Sequence, residues 1–409
     1  MSEKRTFLFL QGVCSPFFAR LADKLKADGH QVYKVNFNVG DCAYWGRRHS
    51  WCYQRPVAEL KGFLDEKYRQ FNITDQVLFG DRRPVHRSAV DHAEIYDIRT
   101  HVFEEGYFRP YWLTLEREGV NGHSLLPRDP DWFWDVGKGV PNYNNGTPFP
   151  SPFCLRALHD VAYHVAGALN PVLFSKYQTH AHVAAPLEYM GYVNRLPRLR
   201  FHASKDKAVI DDLVRKKVPF YVLPLQLSSD AQIRDHSRFN DMPEVIEFIM
   251  QSFALNASGD ARLVIKNHPL DMGLVNYAKL VNAFSRQFDL LGRVHYMETG
   301  DLNALLHHAQ GTVTVNSTVG SVALSFNCPT ISLSDPIYNL PGLTFQGSLD
   351  DFWQERAQPD AELFRRFRNT VIHTTQVNGG FYSPKGIDLA IENSCEMLES
   401  KKTHLEDLL

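Results

Sequence analysis

The 409-residue sequence lacks the features that define several large classes of protein. No apolar run reaches the roughly 20 residues that a transmembrane helix needs, and the first residues do not resemble a secretory leader, so we expect neither a membrane span nor a signal peptide. The formal net charge is only −2 and the sequence pI is about 6.8, without the basic excess that general nucleic-acid binders carry. We therefore expect no nucleic-acid partner.

Cysteine is scarce and irregularly spaced. The chain has six cysteines, and no two of them form a CxxC pair. This pattern indicates a cytoplasmic protein with free thiols rather than a disulfide-stabilised secreted one. Cys42, His49 and Cys52 are close in sequence, but they lack the second ligand cluster that a structural zinc site needs. We therefore predict no metal.

A dinucleotide fingerprint is also missing, although the chain begins with a strand–helix–strand pattern. Residues 6–10 predict a buried strand that ends in Gln11 and Gly12, and residues 15–26 and 31–37 predict the next helix and strand. The GxGxxG spacing of a dinucleotide site does not follow Gly12. Gly12 instead indicates a point where a ligand or a backbone segment approaches closely.

What the sequence does contain is enough apolar material for large cores. Hydrophobic residues make up 44% of the chain and charged residues 22%, and the length suits two domains. Strand-like and helix-like patterns alternate, which predicts parallel sheets with helical crossovers. We predict a Rossmann-like domain at residues 1–217, a second at 218–375, and a C-terminal link and helix at 376–409. Residues 107–150 are rich in Pro and Trp and predict a long ordered loop over the first sheet.

Polar side chains follow two predicted strands of the second domain. Residues 263–265 lead into Lys266-Asn267-His268-Pro269, and residues 311–315 lead into Asn316-Ser317-Thr318, where a helix begins. Ligands of parallel sheets bind beyond the carboxyl ends of the strands, and helix N-termini favour anions. The pattern predicts a phosphate site made of an imidazole, a hydroxyl pair and helix amides.

Simpler interpretations exist for these motifs and for one basic segment. Ser317 or Thr318 can serve only as a helix N-cap, and His268-Pro269 only as the end of a strand. The occurrence of both motifs at equivalent strand ends favours the ligand site. The basic residues within 195–217 form either a solvated helix face or a surface for anionic lipid headgroups.

Two Rossmann-like halves without a dinucleotide fingerprint suggest a nucleotide-sugar glycosyltransferase of the GT-B architecture, in which two domains face a central cleft. A set of motifs occurs in order along the chain: Leu10-Gln11-Gly12, Gly80-Asp81-Arg82-Arg83-Pro84-Val85-His86, Phe103-Glu104-Glu105-Gly106-Tyr107-Phe108-Arg109-Pro110 with Trp112 and Thr114-Leu115-Glu116, Leu223-Pro224-Leu225-Gln226 with Asp230, Lys266-Asn267-His268-Pro269, Asn316-Ser317-Thr318-Val319-Gly320, and Asn378-Gly379-Gly380-Phe381-Tyr382. With these motifs the chain resembles, over nearly its whole length, the capsule polysaccharide biosynthesis proteins of the KpsS/LipB type.

The resemblance implies a reaction and its partners. Such proteins transfer Kdo (3-deoxy-D-manno-oct-2-ulosonic acid) from CMP-β-Kdo to a phosphatidylglycerol-type lipid at the inner membrane surface, and so start the β-Kdo linker of a capsule. No cofactor is implied beyond the donor substrate, and other capsule biosynthesis and export proteins are expected partners. The alternatives are a non-catalytic export or scaffold protein that binds the capsule glycolipid, and an inverting transferase like the bacterial sialyltransferases.

Those sialyltransferases also use CMP-sugars, and their motifs resemble Glu104-Glu105-Gly106, His268-Pro269 and Ser317-Thr318. By this resemblance, His268, Ser317 and Thr318 hold the CMP phosphate and ribose. Donors fixed around a departing phosphate stabilise the charge that builds on it. An Arg or Lys is expected to pair with the carboxylate of the sugar, and the candidates are Lys266, Arg234 and Arg109.

Retention of the β configuration needs a carboxylate nucleophile close to the anomeric carbon. The β-Kdo transferase modules of KpsC type carry a Gln-x-x-x-Asp that resembles Gln226 and Asp230, which implies that Asp230 is the nucleophile. Its simpler interpretation is an N-cap or a solvated loop residue. Glu104 and Glu105 then activate the acceptor, or one of them is the base of an inverting reaction. The predicted catalytic residues are Asp230, Glu104, Glu105 and His268, and the predicted substrate-binding residues are Gln11, Gly12, Arg82, Arg83, His86, Arg109, Gln226, Arg234, Lys266, Asn267, Pro269, Asn316, Ser317 and Thr318.

Overall fold

The computed structural model describes residues 4–179, 185–227 and 237–409. The chain forms two compact units, and it passes between them more than once. The first unit contains Met1–Pro127, Gly139–His180 and Arg368–Leu409, and the second contains Arg128–Lys138 and Ala181–Phe367.

Each unit contains one sheet flanked by helices. The strands are β1 (Thr6–Phe9), β2 (Gln31–Asn36), β3 (Trp51–Cys52), β4 (Asp75–Phe79), β5 (Arg99–Glu105), β6 (Trp112–Arg117), β7 (Phe220–Pro224), β8 (Arg262–Lys266), β9 (Val294–Met297), β10 (Gly311–Thr314), β11 (Thr330–Ser332) and β12 (Gln376–Asn378). The α-helices of the described residues are α1 (Phe17–Ala27), α2 (Val39–Trp45), α3 (Leu60–Phe71), α4 (Pro84–Ala93), α5 (Pro130–Val136), α6 (Phe153–Gly167), α7 (Asn170–Leu173), α8 (Ala185–Arg215), α9 (Met242–Asn256), α10 (Tyr277–Gln287), α11 (Leu302–His308), α12 (Val319–Ser325), α13 (Leu349–Glu355), α14 (Ala361–Thr375), α15 (Pro384–Glu399) and α16 (His404–Leu408). No helix within this part of the chain combines the length and the hydropathy needed to cross a bilayer.

The first sheet has the strand order β12-β6-β5-β4-β1-β2-β3. Strands β1 to β5 pair in parallel, and β6 runs antiparallel to both β5 and β12. The order 3-2-1-4-5 defines a Rossmann-like sheet whose direction of winding reverses between β1 and β4. A ligand site of this unit is therefore expected at the carboxyl ends of these two strands.

Alternating side chains of β1 divide the core of this unit into two layers, because successive residues of a strand face opposite sides of the sheet. Phe7 and Phe9 pack with residues of α1 and α15 on one side. Leu8, and Leu10 just beyond the end of β1, pack with residues of α3 and α4 on the other. Both faces of the parallel strands are thus covered, as parallel sheets require.

The second sheet is fully parallel, with the order β11-β10-β7-β8-β9. Counted from β7, this is again the order 3-2-1-4-5, and the winding reverses between β7 and β10. The predicted α/β class with two Rossmann-like domains, as in GT-B glycosyltransferases, is confirmed. The extents of β8 and β10 agree with the predicted strands to within one residue.

The structure differs from the sequence interpretation in two segments. Residues 107–150 were expected to be one long loop, but they contain β6 in the first sheet and α5 in the second unit. Residues 376–382 were expected to be a turn-rich link, but residues 376–378 form β12, whose Val377 is buried against the sheet. Three residues are too few for an alternating pattern to be recognised.

The compact units also group residues differently from the predicted domains. Residues 185–215 form α8, whose Ile210 and Leu213 pack with Phe220 and Val222 of β7, so this helix belongs to the second unit rather than the first. The C-terminal residues 376–409 belong to the first unit, where β12 extends the sheet.

Candidate functional site

In the second unit, two side chains connect the strands between which the winding reverses. Gln226 follows β7 and Asn316 follows β10. The Nε2 of Gln226 donates to Oδ1 of Asn316 at 2.9 Å, and the backbone N–H of Asn316 donates back to Oε1 of Gln226 at 3.3 Å. This pair fixes the two loops at the edge where parallel sheets bind ligands.

Asn267 organises the loop that follows β8, the neighbour of β7. Its side chain is almost fully buried. Its Oδ1 accepts from the N–H of His268 at 2.8 Å, and its Nδ2 donates to Glu298 at 3.1 Å and to Asp271 at 3.3 Å. Asn267 therefore supports the turn that carries His268, and its predicted substrate-binding role stays a prediction.

The neighbours of His268 determine its tautomer. The backbone N–H of Leu270 donates to Nδ1 of His268 at 3.1 Å, and an amide N–H can only donate, so Nδ1 carries no hydrogen. The neutral ring then carries its hydrogen on Nε2, which makes Nε2 a hydrogen-bond donor. Pro269 contributes a fixed φ and has no N–H of its own. The His-Pro motif thus presents an imidazole donor held by the turn that follows it.

Arg195 of α8 also contacts the loop that carries His268. Its guanidinium donates to the carbonyl oxygens of His268, Pro269 and Asp271 at 3.1, 3.0 and 2.7 Å, and it pairs with Glu298 at 3.0 Å. Arg195 is buried. It therefore does not belong to the solvent-facing basic surface that the sequence suggested for residues 195–217.

Lys266 lies at the end of β8 and is also buried. Its Nζ lies 3.5 Å from the carbonyl oxygen of Asn267. Burial, and then the positive charge of Arg195, lower the pKa of Lys266. A bound anion would restore the stability of the charged form.

Ser317 and Thr318 lie between β10 and α12, as predicted. The Oγ of Ser317 accepts from the N–H of Val319 at 3.2 Å, so Ser317 acts as a local cap. Thr318 is the N-cap residue by position, but its side chain makes no capping bond. Gly320 leaves room for the ring of Tyr338, whose hydroxyl donates to the carbonyl oxygen of Ser317 at 2.6 Å.

In the first unit, Gln11 is the centre of the site at the ends of β1 and β4. Its Nε2 donates to the hydroxyls of Tyr177 at 3.0 Å and Tyr163 at 3.3 Å. Arg83 donates to Oε1 of Gln11 at 3.2 Å and to the carbonyl oxygen of Gly12 at 2.9 Å. Three of the predicted substrate-binding residues, Gln11, Gly12 and Arg83, are therefore brought together, and their role stays a prediction.

Packing within the protein explains why position 12 is a glycine. A Cβ at this position would lie 2.7 Å from the ring of Phe18. The close approach that the sequence indicated is therefore that of a core side chain, and the ligand or backbone contact expected there is not needed to explain the glycine.

Glu104 is the half-buried carboxylate at the end of β5. Desolvation raises its pKa to about 7, against the opposing effects of the Glu105 N–H, Arg83 and Arg109. The absence of a side chain at Gly80 makes room for this group, because a Cβ there would lie 3.2 Å from Oε2 of Glu104. A carboxyl group with a pKa near neutrality can accept and release a proton at physiological pH.

Glu105 differs from its neighbour because it has an ionic partner. Its Oε1 lies 3.2 Å from Nη1 of Arg156 on α6, and the same guanidinium lies over the ring of Tyr382 at 5.0 Å. Gly106, which completes the acidic motif, is required by the backbone, since a Cβ would lie 1.9 Å from the carbonyl oxygen of Trp112.

The remaining predicted residues of this unit have separate positions. His86 is buried in α4, and its Nδ1 lies 2.6 Å from the carbonyl oxygen of Gly80, so it supports the Gly80 turn. Arg82 points away toward Asp81 and His123. Arg109 is exposed and affects Glu104 electrostatically. Of these three residues, only Arg109 lowers the pKa of Glu104.

Asp230 and Arg234 lie outside the described residues. Their assigned roles, as nucleophile and as a partner of the sugar carboxylate, stay predictions.

The predicted absence of a metal stays a prediction. Cys42 and Cys52 lie with their sulfur atoms 3.9 Å apart, and burial raises the pKa of Cys42 to about 12. Among the described residues, Asp28, Cys395 and Glu399 have ligand atoms within 4.8 Å of one another. Burial raises the pKa of Cys395 to about 11.

Sequence reasoning missed four residues that shape these sites. Tyr163, Tyr177, Arg156 and Arg195 are all distant in sequence from the groups they contact. No local signal marks them, since each lies on a helix or loop whose own pattern is unremarkable.

Fold and sites together define a two-unit α/β protein of glycosyltransferase-like fold, with polar sites at the strand ends of both Rossmann-like sheets. The chain matches the family described as "Capsule polysaccharide biosynthesis protein" over residues 74–382. It is 35% identical to the capsule polysaccharide export protein KpsS of Escherichia coli, over 92% of this chain and 97% of that protein. It is also 35% identical to the capsule polysaccharide modification protein LipB of Neisseria meningitidis serogroup B, over 94% and 93%. The chain belongs to the capsule polysaccharide biosynthesis protein family, and the predicted KpsS/LipB assignment is confirmed.

Among solved structures, the β-Kdo 2,7 transferase KpsC of Thermosulfurimonas dismutans covers 96% of this chain and 99% of its own, at 13% identity and a TM-score of 0.46. Its β-Kdo 2,4 transferase covers 78% and 83%, at 15% identity and a TM-score of 0.35.

Proposed function

We propose that this protein transfers Kdo from CMP-β-Kdo to a phosphatidylglycerol-type lipid and so starts the β-Kdo linker of a capsular polysaccharide. The observation that carries the proposal is the His268 turn, in which the Leu270 N–H donates to Nδ1 and leaves Nε2 as the donor of the neutral ring, at the binding edge of a Rossmann-like sheet in a capsule biosynthesis protein. The sheet has no dinucleotide fingerprint, which leaves this edge suited to a mononucleotide phosphate.

The second unit serves the donor. As the bond between the anomeric carbon and the phosphate breaks, the electron pair leaves with CMP and negative charge builds on the phosphate. His268 donates to that charge, Ser317 and Thr318 contribute hydroxyls, and Lys266 supplies a buried cation. The carboxylate of Asp230 attacks the anomeric carbon and forms a glycosyl ester, which inverts the centre once.

The first unit serves the acceptor. Glu104 accepts the proton of the lipid hydroxyl as that oxygen attacks the glycosyl ester, and Asp230 leaves as a free carboxylate. The second inversion restores the β configuration. The pKa of Glu104 near 7 suits a group that must take up this proton and then release it to water.

One assay tests the reaction and separates the alternatives. Purified protein with CMP-β-Kdo and phosphatidylglycerol should release CMP and yield Kdo-lipid in mass spectra, and NMR of the product gives its anomeric configuration. An α product would exclude Asp230 as the nucleophile of a retaining reaction. It would instead indicate an inverting reaction with Glu104 or Glu105 as base. Glycolipid binding with no release of CMP would favour a non-catalytic export or scaffold role.

The same proposal places the protein in the cytoplasm, peripheral at the inner membrane. Both substrates are found there, and other capsule biosynthesis and export proteins would take up the product. No metal or further cofactor takes part in the proposed steps.

A further inference from the structure

Helix α6 and the short helix α7 that follows it have an inverted distribution of polarity. Eleven residues between positions 153 and 173 are exposed, and none of them is charged or carries a polar amide or hydroxyl. They are Phe153, Cys154, Leu158, Val161, Ala162, Val165, Ala168, Leu169, Pro171, Val172 and Leu173. A helix on a water-exposed surface normally places its apolar side inward and its polar side outward.

Polar residues of this segment form contacts with the protein, and the side chains of Arg156 and Asp160 stay 42% and 41% exposed. The Tyr163 hydroxyl is buried, where it donates to Asp41 at 2.8 Å and accepts from Asn38 at 2.7 Å. His159 contacts the hydroxyl of Tyr44 at 2.8 Å. These contacts fix which side of α6 faces outward, so the apolar residues cannot turn inward without breaking buried hydrogen bonds.

The outward side is a continuous stripe. Leu158, Val161 and Val165 recur at spacings of three and four, which places them along one side of α6, and Val172 is exposed on α7. Leu158 is 63% exposed, Val165 67% and Val172 81%. Helix α6 alone is about 22 Å long at 1.5 Å per residue. A contiguous apolar surface of this kind marks an interaction site.

The inner side of the same helix touches the candidate acceptor site. Arg156 pairs with Glu105, and Tyr163 accepts a hydrogen bond from Gln11. One helix thus separates the polar groups of that site from an outer apolar surface. A lipid acceptor has the same two parts, since its headgroup must reach polar catalytic groups while its acyl chains stay in hydrocarbon.

We propose that the exposed side of α6 and α7 inserts into the bilayer and delivers the enzyme to its lipid acceptor. The choice of a bilayer as the occupant rests on the proposed function, and it explains why the polarity of α6 is inverted next to Gln11 and Glu105. Interfacial helices of this kind bury an apolar side about 5 to 10 Å deep at the boundary between headgroups and acyl chains. Lys176, exposed just after the segment, is suited to the headgroup layer.

Vesicle co-sedimentation without CMP-Kdo tests the surface apart from catalysis. The wild-type protein should bind phosphatidylcholine vesicles with and without phosphatidylglycerol, and binding should persist at about 1 M salt, where the Debye length is only about 3 Å. The double variant Leu158→Gln, Val165→Gln should bind on the order of 100-fold more weakly, because two large apolar side chains no longer enter the hydrocarbon.

The matched control is Ile95→Gln, which changes another apolar side chain of the first unit that is 68% exposed. Its vesicle binding should stay within about twofold of the wild type, and circular dichroism should show that all variants are folded. Unchanged vesicle binding of the double variant would overturn the proposal. So would binding that vanishes at high salt, since this would identify a basic surface such as exposed residues of α8.

A second copy of the chain is the rival occupant of the stripe. Sedimentation that shows a dimer, lost in the double variant while vesicle binding is retained, would assign the stripe to self-association and overturn the proposal. Kdo transfer to a short-chain soluble acceptor should be equal in the wild type and the double variant, whereas transfer to acceptor in vesicles should fall with binding. Vesicle binding without any transfer would refute the proposed function and leave the membrane surface supported.

Discussion

The proposed role of His268 depends on one hydrogen atom, whose position follows from the neighbouring Leu270. Because the N–H of Leu270 occupies Nδ1, the donor must be Nε2. We expect His268→Ala to lower the rate of Kdo transfer by about 10²- to 10³-fold, the usual loss for one preorganised donor at a developing charge. CMP binding, measured by calorimetry, should weaken in the same variant.

His308→Ala is the matched control, since this histidine is exposed elsewhere in the second unit. It should leave both the rate and the CMP affinity unchanged. A variant His268→Ala with normal transfer would show that the turn only ends the strand.

The carboxyl of Glu104 predicts a pH profile. If it accepts the acceptor proton, kcat/KM should rise with pH through about 7 and then level off, because the ionised form is the base. Glu104→Gln should lose most activity and the rise with pH. A profile of the same shape in this variant would assign the rise to another group.

The raised pKa of Glu104 also predicts how the stability of the protein changes with pH. Its pKa is raised from 4.5 to about 7 in the folded state, so the unfolded chain releases this proton first and stability falls as pH rises between those values. Glu104→Gln should therefore increase the free energy of unfolding at pH 8 by on the order of 1–3 kcal/mol and have little effect at pH 4. Denaturant unfolding at the two pH values measures this difference. Glu118→Gln is the comparison variant, because it makes the same chemical change at another glutamate of the first unit.

At the scale of elements, α8 supplies one buried arginine to a loop and several exposed cations to solvent. Arg195→Ala should destabilise the protein by on the order of 3 kcal/mol, because Glu298 loses its ionic partner and three carbonyl groups lose a hydrogen-bond donor. Arg200→Ala, on an exposed position of the same helix, should change stability by less than about 0.5 kcal/mol. Urea melts followed by circular dichroism measure both, and equal effects would contradict the role of Arg195 as a support of the His268 loop.

The secondary-structure elements show how much of the fold could be predicted from the sequence alone. Strands β8 and β10 were predictable because continuous apolar runs end in polar residues, and parallel topology then brings those ends together. Strands β3 and β12 have two and three residues, and such short segments are recognised only by their pairing in the sheet.

The candidate sites, like the strands, could be predicted only in part from the sequence. His268, Glu104 and Gln11 were predicted because each lies at or just beyond the end of a strand and within a motif. The tautomer of His268 and the pKa of Glu104 depend on burial and on distant partners, and no spacing in the sequence encodes those. The inverted polarity of α6 was missed because its apolar periodicity is that of any core-facing helix, and only the structure shows that this side faces outward.

At the scale of the whole molecule, each compact unit is assembled from separated stretches of chain. Residues 376–409 were predicted as an appended link and helix, yet they provide Val377, Phe381, Ile387 and Leu398 to the core of the first unit. Arg5, near the other end of the chain, donates to the carbonyl oxygens of Leu398 and Ser400 at 2.7 and 2.8 Å.

A chain that ends at Thr375 should therefore fail to form the first unit. It loses β12 from the sheet edge and all of α15, and the apolar side chains of β1 and α1 that face α15 would be exposed to water. We expect it to aggregate or to show no cooperative unfolding in calorimetry. A chain that ends at Asp407 removes only two exposed leucines and should melt like the full-length protein. If the chain that ends at Thr375 kept the near-ultraviolet circular dichroism and the melting temperature of the full-length protein, residues 376–409 would be an appendage after all, and the first unit would be complete without them.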